Sequence, residues 1–112
     1  MALAAGMLRH RVRIEELISE RDSEGVLQQS WELVATVWAS VEPLSAREFV
    51  ASSATQSKVV ARITIRYRSG VKPTMRIVHR GNLYNIEGVL SDKVSGIEYM
   101  TLPVSEGVGG GQ

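Results

Sequence analysis

Apolar and polar side chains alternate with a period of two along most of this chain, the mark of strands that bury one face. Over 10–18, Val12 and Ile14 alternate with Arg11 and Arg13, and the alternation slips at Glu15-Glu16-Leu17, which predicts a bulge or a strand end there. Residues 19–30 are polar, contain Asp22 and Gly25, and read as a loop or the turn of a long hairpin. From 31 to 42, Leu33, Ala35, Val37, Ala39 and Val41 fall on one face, and Val34, Thr36, Trp38, Ser40 and Glu42 on the other. Pro43 then interrupts the ladder, because proline has no N–H to donate. The cleanest alternation is 58–68, where Val59, Ala61, Ile63, Ile65 and Tyr67 interleave with Val60, Arg62, Thr64, Arg66 and Arg68.

Turn chemistry follows at Ser69-Gly70 and Lys72-Pro73. A short strand then places Met75, Ile77 and His79 inward and Arg76 and Val78 outward. Arg80-Gly81-Asn82 is a compact hairpin signal, since Gly and Asn tolerate positive φ. The returning strand carries Leu83, Tyr84, Ile86 and Val89, with Gly88 a candidate bulge, and 91–96 form a further turn before a last strand over 97–104. Short strands at this spacing predict a mainly all-β fold, a small antiparallel β-barrel or sandwich.

Residues 44–57, between the second and third strands, break the pattern: Ser and Ala dominate, glycine is missing and Phe49 is the one aromatic. Ser45-Ala46-Arg47-Glu48 has the S-x-x-E spacing of a capping box, in which serine and glutamate each satisfy a backbone N–H of the other. The segment reads as a short surface helix or as a long inserted loop, and loops of that length are commonly functional.

At 112 residues the chain suits one compact domain. Residues 1–8 read as a flexible arm, 9–104 as the barrel with 44–57 inserted, and 105–112 as a disordered Gly-rich tail. With no cysteine, the chain can form neither a disulfide framework nor a thiolate site. Its apolar N-terminal stretch is far shorter than the roughly 20 residues that cross a bilayer, and no basic region precedes it. The expectation is a soluble protein made in the cytoplasm, without a membrane contact.

Thirteen basic residues against twelve acidic give a net charge of +1, which argues against a surface built wholly for nucleic acid. The total hides a split. Residues 58–80 carry seven basic side chains and no carboxylate, whereas 15–48 carry eight carboxylates against Arg21 and Arg47. Period and assumed pairing put Arg62, Arg66 and Arg68 on the outward face of one strand, with Arg76 and Arg80 on its neighbour. Such a basic face could track phosphates, meet the acidic half of a neighbouring subunit head to tail, or simply be a solvated edge that resists wrong pairing. Aromatic residues are not interleaved with these arginines as a single-strand stacking platform would require.

Catalytic signals are missing from the sequence. His10 and His79 have no second metal ligand at a fitting spacing, the glycines form no phosphate loop, and the serines lack a nucleophile elbow. No enzyme activity, cofactor or metal is expected. Trp31 and Trp38, seven apart, fall on opposite faces of a regular strand, so one is expected in the core and the other at an interface.

The ordered series Gly6-x-Leu8-Arg9-His10-Arg11-Val12-x-Ile14, Gly25, Trp31, Val37-Trp38-Ala39-x-Val41-x-Pro43-Leu44-Ser45-x-Arg47-Glu48, Ile63-Thr64-Ile65-Arg66-Tyr67, Met75-Arg76-Ile77 and Tyr84-Asn85-Ile86 resembles the tailed-phage head closure proteins. These are also called head–tail joining proteins or stoppers. The resemblance implies a small β-barrel that binds below the portal and adaptor rings, assembles into a ring expected to be twelve-fold, and docks tail proteins on its other face. It further implies that the loop between the second and third strands faces the channel and retains packaged double-stranded DNA. Here that loop is 44–57, with Ser45, Arg47, Glu48, Phe49, Ser52, Ser53, Thr55 and Gln56 as channel candidates. Arg62, Arg66, Arg68, Arg76 and Arg80 remain the candidates for an interface or a DNA-facing surface. Such a protein resides at the head–tail interface of the virion and in the host cytoplasm during assembly. The competing readings are a tail-terminator or tail-completion ring protein, and a small barrel that binds nucleic acid directly.

Overall fold

The computed structural model describes residues 7–54, 58–92 and 96–107, without the side chains of 49 and 52–54. Its strands are β1 (His10–Arg21), β2 (Leu27–Pro43), β3 (Ala61–Arg66), β4 (Arg76–His79), β5 (Asn82–Ile86), β6 (Leu90–Ser91) and β7 (Tyr99–Glu106). One helix, α1 (Ala46–Ala54), lies between β2 and β3. Among the described residues no helix is long and apolar enough to cross a membrane.

All pairings are antiparallel, in the order β3-β2-β1-β4-β5-β7, and β7 also pairs with β3. The sheet therefore closes on itself, leaving β6 as a short addition alongside β7. Closure explains the core. Val12, Ile14, Ile63, Ile65, Ile77, Leu102 and Val104 are all fully buried, and each comes from the inward parity of its strand. The predicted inward residues Met75 and His79 are buried as well.

Two differences from the sequence reading arise in the β1–β2 hairpin. Its strands run through most of 19–30, leaving only 22–26 as the connection. These added strand residues are largely exposed, so they carry no apolar alternation to read. The predicted slip near Glu15 is real, but the extra residue is Val34 of β2. Ile14 pairs with Ala35 and Glu15 with Leu33, so Val34 has no partner opposite. Val34 packs against the core while Leu33 turns outward.

The bulge also overturns the expectation for the two tryptophans. Trp38 lies opposite Arg11 and Trp31 opposite Leu17, and Arg11, Arg13, Glu15 and Leu17 share one face of β1. One inserted residue turns an odd spacing into an even one, so both rings sit on the outer face. Neither belongs to the core, and Trp38 is 51% exposed.

The hairpin signalled by Arg80-Gly81-Asn82 joins β4 and β5, but the turn itself is Arg80-Gly81, and Asn82 already belongs to β5 opposite His79. Arg80 has φ 52° and Gly81 φ 81°, the pair of positive values that a tight primed turn demands. The last strand begins and ends two residues later than predicted, leaving Ile97 exposed and Ser105 buried. Gly107 still donates to the Leu83 carbonyl at 2.8 Å, where an added Cβ would stand 2.9 Å from Leu83 Cβ. The tail expected from 105 therefore starts no earlier than 108, and 108–112 lie outside the described residues, as do 1–6 of the expected arm.

Candidate functional site

The segment between β2 and β3 is mounted on a closed base. Pro43 pairs with Ala61, and the Leu44 N–H donates to the Val60 carbonyl at 3.1 Å. From there the chain enters α1 through the predicted capping box. Glu48 N–H donates to Ser45 Oγ at 3.2 Å, and Ser45 N–H donates to Glu48 Oε1 at 3.1 Å. The other Glu48 oxygen is ion-paired with Arg62 of β3, so cap, helix and sheet are linked through one carboxylate. The Arg62 hydrogen bond, followed by the Ser45 N–H, lowers the Glu48 carboxyl to about 2. Arg47 and Val50 are exposed on this helix. Of the other channel candidates, Thr55 and Gln56 lie outside the described residues, and so do the side chains of Phe49, Ser52 and Ser53.

The basic face assumed from strand pairing does not form. β3 is flanked by β2 and β7, and β4 by β1 and β5, so the two strands are not neighbours. Arg62 is engaged by the helix. Arg76, expected on an outward face, is 8% exposed; its Nε donates to Glu15 Oε1 at 2.8 Å, and its guanidinium lies 4.2 Å from the Trp31 ring centroid. Arg13 reaches the other Glu15 oxygen at 3.2 Å. Arg80 is exposed at its turn. Part of the acidic-early, basic-late split is thus neutralised inside one molecule, by Glu15 with Arg76 and Glu48 with Arg62.

Arg66 and Arg68 instead join a surface that strand parity alone could not assemble. With Leu8, Arg9, Val37, Trp38 and Tyr67 they line an open cleft of about 700 Å³. Ala39 pairs with Ile65, which brings Trp38 of β2 beside the end of β3. Arg11 lies over the Trp38 ring at 4.9 Å, and Arg66 over Tyr99 at 5.7 Å. Each such cation–π contact contributes roughly 0.5–1 kcal/mol at an exposed site. The Tyr67 N–H donates to the Glu98 carbonyl at 2.9 Å, fixing the chain as it leaves β3. Leu8, Arg9, Arg11, Trp38 and Tyr67 were not singled out from the sequence as a group. Arg11 against Trp38 was the available signal, visible only once their register is known.

His79 is buried against His10, with ring centroids 5.0 Å apart and edge to face. Its Nε2 has no hydrogen-bond partner among the described residues. Burial first, then the charges of His10 and Arg80, lowers its affinity for a proton below the ordinary 6.5. The folded state thus favours the neutral ring, so this contribution is complete above the unfolded-chain value and is lost as pH falls through the folded one. Urea midpoints should decline between about pH 7 and pH 5, and His79→Phe should flatten that decline. An imidazole of His79 that titrates by NMR at or above the ordinary value would contradict this.

The chain matches the model of the phage head completion proteins over residues 3–107. It belongs to that family. Its fold is similar to the solution structure of protein SF1141 from Shigella flexneri 2a, with a TM-score of 0.77 and 33% identity, covering 95% of this chain and 98% of that one. It is also similar in fold to a chain of the virion of a native gene transfer agent particle, with a TM-score of 0.57 and 17% identity, covering 90% of this chain and 96% of that one. No curated protein matches the sequence significantly. Membership assigns this chain a structural part in completing the phage head, as the resemblance read from the residues implied.

Proposed function

We propose that this head completion protein is a non-enzymatic ring component of the head–tail connector. It closes the filled head below the portal and adaptor and offers its other face to tail proteins. Its α1 excursion faces the channel and holds the packaged DNA. The observation that carries this reading is the mounting of α1: a helix capped by Ser45 and Glu48, anchored through Arg62, and carried on a base closed by Leu44 and Val60. Such an element can present residues to a channel without taking part in the strand pairing that closes the sheet.

Replacing 47–56 with a short Gly/Ser linker tests it. Because the base is already closed, shortening the connection changes loop-closure entropy little, roughly 0.6 kcal/mol per twofold change in length. The variant should fold, and particles carrying it should package DNA and then leak it, seen as nuclease sensitivity after packaging. Retained DNA would overturn the channel role of α1.

A second reading, direct DNA binding, is favoured by the cleft, where Arg9, Arg66 and Arg68 lie beside Trp38 and Tyr67. Steeply salt-dependent DNA binding by the isolated protein would support it over connector closure.

A further inference from the structure

The β1–β2 hairpin reaches well beyond the closed sheet. β1 pairs with β4 only over 13–15, and β2 with β3 only over 39–43. Residues 16–32 therefore form a ribbon of two strands with no third strand beside them, and the molecule measures 53 × 32 × 23 Å. An isolated two-stranded ribbon is marginal in water, yet this one exposes Leu17, Val26 and Leu27, with Leu33 exposed at its foot. It carries Glu16, Glu20, Asp22, Glu24 and Glu32 against Arg21 alone.

The tip is nonetheless built to hold one shape. Asp22 Oδ1 accepts from the N–H groups of Glu24 and Val26, both at 2.9 Å, and Arg21 Nη1 donates to the Gly25 carbonyl at 2.8 Å. Arg21 is thereby turned onto the backbone of the turn. A preformed acidic and apolar tip that stands exposed fits a complementary partner surface.

The cleft described above has that complementary character, with Arg9, Arg66 and Arg68 around Leu8, Trp38 and Tyr67. It also lies at the other end of the same ribbon. β1 begins beside the cleft, with His10 opposite Ala39, and ends at the tip, with Arg21 opposite Leu27. Its twelve residues span about 40 Å at the rise of an extended strand. A molecule cannot fill its own cleft with its own tip, whereas the tip of a second copy can reach it. We propose that the 22–26 tip of one copy docks into the Trp38–Tyr67 cleft of the next, in a head-to-tail contact between identical chains. Repetition of such a contact closes a ring where the rotation between copies permits. The proposal deepens the ring reading given above and identifies the surfaces that neighbours would use.

The cysteine-free sequence makes a clean test possible. Val26→Cys protein and Tyr67→Cys protein, mixed at high concentration and oxidised, should give a mixed disulfide dimer in much higher yield than Val26→Cys with Arg47→Cys on α1. Adding Arg66→Glu and Arg68→Glu to the Tyr67→Cys chain should cut the yield by about tenfold, and adding Glu20→Arg and Glu24→Arg to the Val26→Cys chain should restore it. Circular dichroism and thermal unfolding verify that each variant is folded. Equal yield with the Arg47→Cys chain, or charge reversal without loss and rescue, would overturn the contact. So would a disulfide that forms only after residues 1–6 are removed, because the chain's own N-terminus would then be the occupant. This experiment needs no head or DNA, so it can fail while the closure role stands, and the leakage experiment can fail while this contact stands.

Discussion

Glu15→Ala should lower the stability of this protein by about 3–5 kcal/mol, the cost of leaving a buried cation without its partner. Glu15 and Arg76 are only 7% and 8% exposed, and the carboxylate is what Arg76 Nε donates to at 2.8 Å. Removing it leaves a guanidinium between β1, β4 and the Trp31 ring, whose face supplies part of the lost charge stabilisation but no hydrogen bond. Arg13 loses a contact too, but its side chain is 53% exposed and water replaces that bond at little cost. For a domain with a total stability of about 5–15 kcal/mol, the substitution approaches the limit of folding. Replacing the pair together, as Glu15→Leu with Arg76→Met, should cost far less than Glu15→Ala alone, because no charge is then left buried. Urea unfolding of the two variants decides it. A loss below about 1 kcal/mol for Glu15→Ala would mean that Arg76 reaches water past Trp31.

Leu102→Ala should cost about 2–5 kcal/mol and loosen the sheet along its whole length. Leu102 is fully buried opposite Ile63, on the strand that closes the ring of strands. β7 holds β3 on one edge and β5 and β6 on the other, so a cavity there weakens the seam between the ends of the sheet. Leu33→Ala removes the same side chain from an exposed position at the foot of the ribbon and should change stability by no more than about 0.5 kcal/mol. Denaturant midpoints give the comparison, and amide exchange should show β3 and β5 losing protection only in the Leu102 variant. Equal destabilisation by the two substitutions would refute the assignment of β7 as the closing strand of the core.

The candidate surfaces were unevenly legible. The capping box at Ser45 and Glu48 is a local device spanning four residues, so the start of α1 could be read directly, and its reciprocal bonds are present. The arginines after residue 58 were visible as a cluster in the chain, but their partners were not. Arg76 meets a glutamate 61 residues away and Arg62 one 14 residues away. Sequence order carries no direct record of such contacts. The cleft was hidden for the same reason: it combines the start of β1, the middle of β2 and the exit of β3, and their register alone brings Trp38 to Arg66 and Arg11.

What the sequence by itself determined is what depends on neighbours along the chain. The inward residues of β3 follow from a two-residue period, the β4–β5 hairpin from Arg80-Gly81-Asn82, and the helix start from Ser45 and Glu48. Membership of the family was also written in the ordered series of residues. Tertiary structure alone decided which strands are adjacent, since alternation assigns a residue to a face but says nothing of the strand beside it. It separated β3 from β4, and with them the arginines that sequence reasoning had placed on one surface. It also put the extra residue of the bulge at Val34, which moved Trp31 to the outer face and gave buried Arg76 its aromatic cover. The physical reason is that closing the sheet rewards pairings over the whole chain at once. Local pattern limits those pairings without selecting among them.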